Sequence, residues 1–307
     1  MISRRSIRVK VMQTLYAFEA ANESMTERQA RDILKGKMDQ SAALFTYLVY
    51  LITEVARYVE TDAARRSSKH LPSEEDLNVN IKLAGNTLLW QTLEHPGFAG
   101  MVEKGNFHSI TDTEQIRALF GKLTVSPEYA LYLSKPSRER TDEREILSFL
   151  FNDIILPDED VDMHLTECFV NWEDDAEMMQ QMVMNYLHKP GSYDFGLIVS
   201  AEKRKYGDDL LRTAIEKKEV CLDHIRPRLK NWDAERIAHL DMIIMRLGVC
   251  ELLFFETIPT KVTINEYIDL AKEYSTTQSG QFVNGILDNI HKDLEREGLL
   301  RKVEYRK

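Results

Sequence analysis

The chain has few cysteines, few glycines and prolines, and no long uncharged apolar run. Its 307 residues include 3 Cys, 13 Gly and 8 Pro. Because the cysteines form no CxxC pair and their number is odd, a disulfide framework is not expected. No stretch reaches the roughly 18 uncharged apolar residues of a membrane span, and the basic start, Met1 to Arg5, is not followed by the apolar core of a signal peptide. We therefore expect a cytoplasmic protein with no membrane partner.

The sequence motifs of common enzyme classes are also missing. The chain contains no GxGxxG, GxxxxGKS/T, HExxH or GxSxG pattern, so nucleotide, zinc-protease and hydrolase chemistry have no candidate residues. His164 with Cys168 and Cys221 with His224 have helical spacing, but each pair is only half of a zinc site. We predict no catalytic residue, no metal and no cofactor, and we do not expect an enzyme.

The charges that are present are distributed unevenly. The net charge is −10, from 50 acidic and 40 basic residues, which argues against a general nucleic-acid binder. Residues 3–12 nevertheless hold four basic residues and no acid, whereas residues 158–177 hold nine acids and neither Lys nor Arg. We interpret the second segment as a solvated acidic face that suits a basic protein partner and that should face away from Arg4 and Arg5.

Apolar residues recur with the spacing of α-helices along most of the chain. Spacings of three and four occur from Ile7 to Phe18 and again within a long predicted helix over residues 25–60. Thr263 to Glu266 has the pattern of a capping box, which would open a helix with Ile264, Ile268 and Ala271 on its buried face. A turn is predicted over residues 275–280. Because alternating strand patterns are missing, the predicted fold class is all-α.

Prolines divide the middle of the chain into short helices, which favours a core built from both ends. We predict N-terminal core helices over residues 1–62, a helical insertion over 63–204 and a C-terminal helical bundle over 205–307. Shifting the chain by 60 residues also places Asn171-Trp172 on Asn231-Trp232, with eight identities over residues 150–187. This register predicts a degenerate repeat, in which a helix pair at 146–187 resembles residues 208–250.

The N-terminal helix carries a possible RNA-binding stripe. Arg5, Arg8, Met12 and Tyr16 follow one another at spacings of three, four and four. Arginines supply charge and planar stacking, and a tyrosine ring can stack on an unpaired base, which suits single-stranded RNA. From this helix alone, solvated arginines and a half-buried Tyr16 are the better-supported alternative.

Longer motifs make the chain similar to one known family. The start, Arg4-Arg5-x-x-Arg8 followed by Met12 to Tyr16, resembles the opening of the NusB family of bacterial transcription antitermination factors. The C-terminal motifs also resemble that family: DMIIMRL at 241–247, ELL at 251–253, INE at 264–266, LAK at 270–272 and FVNGILD at 282–288. The resemblance covers residues 3–20 and about 208–292, and it does not cover the middle.

This resemblance implies an all-α, non-enzymatic NusB-like helical bundle core, here with an inserted helical region. It implies binding of boxA-type single-stranded RNA together with a NusE-type small-subunit ribosomal protein, within the RNA polymerase antitermination complex of ribosomal RNA operons. The start of the last matched helix would offer backbone N–H groups to phosphate. The expected RNA-binding residues are Arg4, Arg5, Arg8, Gln13, Tyr16, Gln281 and Phe282.

Some positions depart from the family pattern. Ser6 stands where members often carry a third arginine, and Gln278 and Gln281 stand where they often carry an acidic residue and a lysine. The loss of two positive groups should weaken the phosphate contribution to binding. The alternative function is a protein–protein scaffold in ribosome biogenesis without specific RNA binding. Within the motifs, Gly285 is expected to allow close helix packing, and Asn265 and Asn284 to satisfy buried backbone groups.

Overall fold

A computed structural model of the chain describes residues 1–22, 24–229 and 237–303. Every regular element within these ranges is helical, which confirms the all-α fold class. The chain divides into two compact units. The terminal unit contains residues 3–38 and 201–307, and the central unit contains residues 1–2 and 39–200.

The described residues form sixteen α-helices. Short 3₁₀ turns lie at Lys82–Gly85, Pro190–Ser192, Phe195–Leu197 and Arg226–Leu229, and a π-helical segment follows α9 at Leu150–Ile155. In chain order the helices are α1 (Arg4–Ala20), α2 (Glu27–Ser67), α3 (Glu74–Leu77), α4 (Thr87–Leu93), α5 (Pro96–Gly105), α6 (Phe107–Ile110), α7 (Thr113–Thr124), α8 (Pro127–Ser134), α9 (Arg140–Phe149), α10 (Glu159–Cys168), α11 (Trp172–His188), α12 (Ala201–Glu216), α13 (Lys218–Ile225), α14 (His239–Phe254), α15 (Thr260–Tyr274) and α16 (Ser279–Arg296).

The two N-terminal helices begin at side-chain caps. Ser3 Oγ accepts a hydrogen bond from the backbone N–H of Ser6 at 3.1 Å and starts α1. Before α2, the Thr26 N–H donates to Gln29 Oε1 at 2.8 Å, and the Gln29 N–H donates to Thr26 Oγ1 at 3.3 Å. This reciprocal pair is a capping box, and it satisfies two N–H groups that the helix itself cannot pair.

Helix α2 confirms the long helix predicted over residues 25–60 and extends it to Ser67. By length and composition it is apolar enough to cross a membrane. However, 78% of its apolar window is buried inside the structure, as in the core helix of a soluble protein. Its residues up to Met38 belong to the terminal unit and those from Asp39 belong to the central unit.

The terminal unit is organised around α14. This helix packs against α1, α12, α13, α15 and α16, and α15 and α16 form an antiparallel-type pair joined by a short turn. Helix α12 approaches α1 and the first part of α2 closely at Gly207. A Cβ atom at that position would lie 2.9 Å from Ile7 Cγ2 and 3.6 Å from Met38 Sδ, so a glycine is required there.

The helix predicted to start at Thr263 begins one turn earlier. Helix α15 starts at Thr260 after Pro259, and Thr263 is fully buried within it. Its hydroxyl donates to Glu251 Oε1 at 2.7 Å instead of capping a helix. The buried face is consequently formed by Thr263, Tyr267, Leu270 and Ala271, whereas Ile264 and Ile268 are only half-buried. The capping-box prediction was wrong because a buried acceptor on α14 competes for this threonine.

The next turn agrees better with the sequence. Helix α15 ends at Tyr274 and α16 begins at Ser279, within the turn predicted over residues 275–280. Gly285, however, has no atom within 4 Å of a Cβ built on it, so it does not permit close packing. Asn265 and Asn284 are exposed and do not satisfy buried backbone groups.

Three of the nine carboxylates in the acidic segment have structural roles in the central unit. Asp158 caps α10 by accepting the N–H of Val161 at 3.0 Å, and it pairs with Lys122 at 2.6 Å. Asp162 accepts the indole N–H of Trp172 at 2.8 Å, and the fully buried Asp175 accepts the hydroxyl of Ser41 at 2.5 Å. The solvated acidic face is therefore smaller than the sequence predicts, because a helix start, an indole and a buried hydroxyl use these three acids.

The boundaries of the two compact units differ from the predicted domain boundaries. The predicted boundary at residue 62 falls inside the uninterrupted helix α2, and the boundary at 204 lies four residues beyond the end of the central unit.

The predicted repeat can be compared with the observed helix starts. If 60 is added to the first residues of α9 and α10, the results are positions 200 and 219, next to the observed starts of α12 and α13. Trp172 is buried at the start of α11, but Asn231 and Trp232 lie outside the described residues, so the repeat stays a prediction.

Candidate nucleic-acid interface

Arg4 and Arg5 lie in the first turn of α1, and both are partly exposed. Arg4 Nη2 donates to Glu202 Oε1 on α12 at 2.6 Å, and its guanidinium carbon lies 5.5 Å from the centre of the Tyr206 ring. Arg5 Nη2 donates to Glu273 Oε2 on α15 at 2.5 Å. About 40% of each arginine side chain remains accessible, at 39% and 38%. Both cations can therefore reach an anion, in competition with exposed carboxylates.

Arg8 has a different environment, because it is 1% exposed. It forms two hydrogen bonds to Glu251, from Nε at 3.0 Å and from Nη2 at 2.9 Å, and a third from Nη1 to Glu266 at 3.2 Å. Met12, one turn further along α1, is also buried. The predicted stripe from Arg5 to Tyr16 is therefore exposed only at its ends. Arg8 has no surface to offer to RNA, so its predicted role is corrected to a structural one.

Glu251 is the centre of a buried polar network that joins four helices. In addition to Arg8, its carboxylate accepts hydrogen bonds from Tyr206 at 2.6 Å, Thr263 at 2.7 Å and Tyr267 at 3.2 Å. Burial alone would raise the pKa of Glu251, but the hydrogen bonds and the charge of Arg8 outweigh it and lower that pKa below its usual value. The network fixes α1 against α12, α14 and α15, and so positions Arg4 and Arg5.

Tyr16 lies near the end of α1 with 45% of its surface exposed. Its ring centre is 5.5 Å from that of His239, at an interplanar angle of 59°. Glu19, one turn later, accepts from Arg246 at 2.6 Å and from Lys218 at 2.8 Å. Because its outer face is open and its position is held by neighbours, the Tyr16 ring can stack on a base.

Gln13 lies between these two exposed ends of α1 and is half-buried. Its Oε1 accepts a hydrogen bond from Lys37 of α2 at 3.0 Å. Ser6 is buried, and its hydroxyl accepts a hydrogen bond from Lys10 at 2.9 Å. Neither side chain adds an exposed positive charge to the surface.

The start of α16 forms the second part of the predicted site. Gln281 is exposed and Phe282 is half-buried, and the first turn of the helix contains no acidic residue and no side-chain cap at Gln278. Gly280 allows Lys272 of α15 to approach closely, since a Cβ there would lie 2.6 Å from Lys272 Cγ. Arg5 contacts α15 at Glu273, next to this turn, so the structure brings Arg5 and the start of α16 to the same end of α15.

One of the two half zinc sites is brought together by its helix. Cys168 Sγ lies 3.8 Å from both ring nitrogens of His164. His164 Nε2 and the Tyr47 hydroxyl are 2.8 Å apart, and burial lowers the pKa of His164. Cys221 is buried beneath α14. In the part of the chain that the structure describes, no group of three or more His, Cys, Asp or Glu side chains could hold a metal ion.

The two units differ strongly in charge. The terminal unit has 27 basic and 23 acidic residues, a formal net charge of +4. The central unit has 13 basic and 27 acidic residues, a formal net charge of −14. The overall negative charge therefore comes from the central unit, and the unit that carries Arg4, Arg5 and Tyr16 is electropositive.

Comparison with known proteins identifies the family. The NusB family model matches residues 164–292. The transcription antitermination protein NusB of Methylacidiphilum infernorum is 40% identical over 105 residues, which are 34% of this chain and 73% of that protein. The chain belongs to the NusB family. The NusB protein of Natranaerobius thermophilus is 32% identical over 131 residues, covering 40% of this chain and 94% of that protein.

The match to NusB proteins is partial in other cases. The Salinibacter ruber NusB protein is 40% identical over 99 residues, and the matched part is 62% of its length and 32% of this chain. No solved structure matches the chain. The family membership confirms the resemblance of the C-terminal motifs, whereas the N-terminal motif at residues 3–20 lies outside the match to the family model. NusB proteins are transcription factors rather than enzymes.

The sequence could not indicate which NusB-motif residues are buried or paired. Glu202 and Glu273 lie 198 and 268 positions from the arginines that they contact. No local spacing reveals such pairs. One feature of the sequence did indicate the burial of Arg8. This residue lies one position after Ile7 and three before Val11, which both belong to the buried apolar stripe of α1.

Proposed function

We propose that this protein is a transcription antitermination factor that binds boxA-type single-stranded RNA together with a NusE-type ribosomal protein. Its membership of the NusB family carries the proposal, because the named relatives are transcription antitermination proteins. In this function it acts in the cytoplasm, within the RNA polymerase complex that transcribes ribosomal RNA. The proposed RNA-contacting residues are Arg4, Arg5, Gln13, Tyr16, Gln281 and Phe282.

The exposed chemistry of the terminal unit supports this function. Arg4 and Arg5 provide two partly exposed guanidinium groups, and Tyr16 provides an accessible ring. The start of α16 adds backbone N–H groups, and the first turn of this helix contains no acidic residue, although the Asp241 carboxylate of α14 accepts the hydroxyl of Ser279 at 2.8 Å. Phosphates would bind the cations and the helix start, and an unstacked base would bind the ring.

Titration of a boxA-type RNA with the full chain, with and without the cognate NusE-type protein, tests the proposal. We expect binding that strengthens with the partner and weakens with salt. Replacing Arg4 and Arg5 with Ala should weaken the binding of RNA of any sequence. It should also reduce the steepness of the plot of log K against log salt concentration by about 0.7 per lost phosphate contact. A slope equal to that of the parent protein would show that neither arginine contacts RNA.

A scaffold function in ribosome biogenesis remains the second candidate, and one set of observations favours it. Both exposed arginines are paired with carboxylates, and Gln278 and Gln281 add no charge to the turn. A scaffold would bind the ribosomal protein equally well with and without RNA. If RNA fails to bind both with and without the NusE-type protein, while that protein still binds, the result supports the scaffold function.

A further inference from the structure

A groove between the first part of α2 and the start of α12 lies in the terminal unit. Its volume is about 610 Å³, and five cationic side chains and two carboxylates line it. The cationic side chains are Arg28, Arg31, Lys35, Arg204 and Lys205, of which Lys205 also pairs with Asp209 on α12. In a protein with a net charge of −10, such a concentration of positive charge is unusual.

The cations on α2 form one stripe. Arg28, Arg31 and Lys35 are spaced by three and four residues, so they share a helix face over about 10 Å of axis. Arg31 is neutralised by Asp208 of α12, with Nε–Oδ1 and Nη2–Oδ2 distances of 2.6 and 2.7 Å. Arg28 and Lys35 are exposed and have no ion-pair or hydrogen-bond partner among the described residues. These two charges remain available to an external anion.

The groove and an N-terminal arginine adjoin the same part of α12. Arg4 pairs with Glu202 at the start of this helix, and Arg204 and Lys205 follow within one turn. The close approach at Gly207 brings α12 against Leu34 and Met38, which form the floor of the groove.

The lining favours a nucleic-acid backbone over a protein segment. The apolar floor residues Leu34 and Met38 are 1% and 3% exposed, so they offer almost no apolar surface. Among the residues that the structure describes, no aromatic side chain lines the groove, whereas protein interfaces depend on buried apolar or aromatic anchors. Without aromatic rings the groove also has nothing on which bases could stack. Its positive side chains suit phosphates of any sequence.

We propose that this groove, defined by Arg28 and Lys35 of α2 and by Arg204 and Lys205 of α12, is a second RNA-binding surface that holds RNA flanking the boxA-type element. The groove binds the phosphate backbone without sequence preference and lengthens the bound RNA beyond the recognised element. This inference rests on the proposed RNA-binding function, since the groove receives a strand that the N-terminal arginines already hold.

The experiment compares three RNAs on the full chain: a short boxA-type RNA and the same RNA extended with uridines at its 5′ end or at its 3′ end. One extension should bind more tightly than the short RNA. The variant carrying Arg28→Gln and Lys35→Gln should lose that gain and bind the short RNA like the parent. With a slope of about −0.7 per contact, each lost contact costs about fivefold at 0.1 M salt, so about 25-fold for two.

A matched control removes the same charge elsewhere on the terminal unit. The variant carrying Lys292→Gln and Arg296→Gln alters the far end of α16, where both cations are exposed and paired with neighbouring acids. It should retain the gain from the extension. Replacing the uridine extension with adenosines should also leave the gain unchanged, because the groove reads no bases.

The outcomes separate this inference from the function on which it rests. If the short RNA fails to bind with and without the ribosomal protein, the proposed function and the groove proposal are both wrong. If the short RNA binds but neither extension adds affinity, only the groove proposal is wrong. An equal loss for short and extended RNA would place Arg28 and Lys35 in the primary site instead. Polyglutamate serves as a probe for an acidic protein segment. If it binds to the parent but not to the Arg28→Gln and Lys35→Gln variant, and the extended RNAs show no gain in affinity, the groove binds an acidic protein segment instead of RNA.

Discussion

Arg5 and Arg8 lie three residues apart on α1, yet their environments are opposite. The Arg5 side chain is 38% exposed and pairs with an exposed carboxylate, whereas Arg8 is almost fully buried against Glu251. Removing one partner of a buried pair leaves an uncompensated charge, which is far more costly than losing an exposed pair. The two arginines should therefore report different properties, with Arg8 affecting stability and Arg5 affecting binding.

Replacing Arg8 with Met should lower the free energy of unfolding by about 3–5 kcal/mol at pH 7, because Glu251 keeps its buried charge without a counter-ion. Urea denaturation measures this loss. The matched variant Arg5→Met should change stability by less than about 1 kcal/mol. Equal effects of the two variants would contradict the burial of Arg8.

The same pair predicts a dependence on pH. In the parent protein the pKa of Glu251 is lowered. The ionised carboxylate therefore contributes to the free energy of unfolding above the usual glutamate pKa of about 4.3, and this contribution is lost as the pH falls through the lowered pKa. Without Arg8, burial raises that pKa, and protonation relieves the cost of the buried charge. The difference in stability between parent and Arg8→Met should therefore narrow as the pH falls from 7 to 4. Denaturation curves at both pH values test this.

Tyr16 has an exposed ring whose role can be separated from that of its hydroxyl group. If the ring stacks on a base, Tyr16→Ala should cost about 1–3 kcal/mol of RNA-binding free energy. Tyr16→Phe keeps the ring and should bind within about twofold of the parent. Fluorescence titration with boxA-type RNA measures both. A large loss with Phe would assign the contact to the hydroxyl group instead of the ring.

At the scale of elements, helix positions follow from the sequence more closely than helix partners do. The buried stripe of α1, the length of α2 and the turn before α16 all agree with the apolar spacing. The start of α15 does not, because Thr263 bonds to Glu251, a residue of another helix. Local patterns report local hydrogen bonds, and they contain no information on a buried carboxylate twelve positions earlier.

The pairing of α1 with α15 makes a prediction about RNA affinity. Glu273 holds Arg5 at 2.5 Å and competes with phosphate for it. Because an exposed ion pair contributes about 0–1 kcal/mol, Glu273→Gln should strengthen RNA binding by up to about fivefold. Asp288→Asn is the matched control, since Asp288 lies further along α16, is 45% exposed and pairs with Lys292 at 2.7 Å. It should leave affinity unchanged, and a weaker complex with Glu273→Gln would oppose a role for Arg5 in binding.

At the scale of the whole molecule, the family match and the compact units agree only in part. The motif residues that carry the resemblance all lie in the terminal unit, residues 3–38 and 201–307, but the family model also matches residues 164–200 of the central unit. The boundary near residue 38 could not be read from the sequence, because α2 continues through it without a proline, a glycine pair or a change in helix propensity. The end of the central unit near residue 200 follows Pro190-Gly191, and there the sequence is informative.

The negative charge of the central unit is also a property of the whole molecule. Helices α10 and α11 carry many of the exposed acidic side chains of this unit. Besides Asp162, which accepts the indole N–H of Trp172 at 2.8 Å, five exposed carboxylates of these helices make no ion pair within the described chain. They are Glu159, Asp160, Glu167, Glu173 and Glu177. Clustered charges of one sign increase the association rate of an oppositely charged partner more than they strengthen the final complex. A basic ribosomal protein is the partner that such a cluster would attract.

Neutralising these five carboxylates to Gln or Asn should therefore slow the association of the NusE-type protein and leave its dissociation rate nearly unchanged. Stopped-flow kinetics at low and physiological salt measure both rates, and the difference from the parent should shrink as salt rises, because the Debye length falls to about 8 Å at 0.15 M. A control removes five dispersed acids of the central unit, Glu74, Glu94, Glu103, Glu128 and Glu145, all exposed. If clustering matters, this control slows association less. Equal slowing would mean that net charge alone attracts the partner, and a faster dissociation with an unchanged association rate would mean that the acidic helices contact it directly.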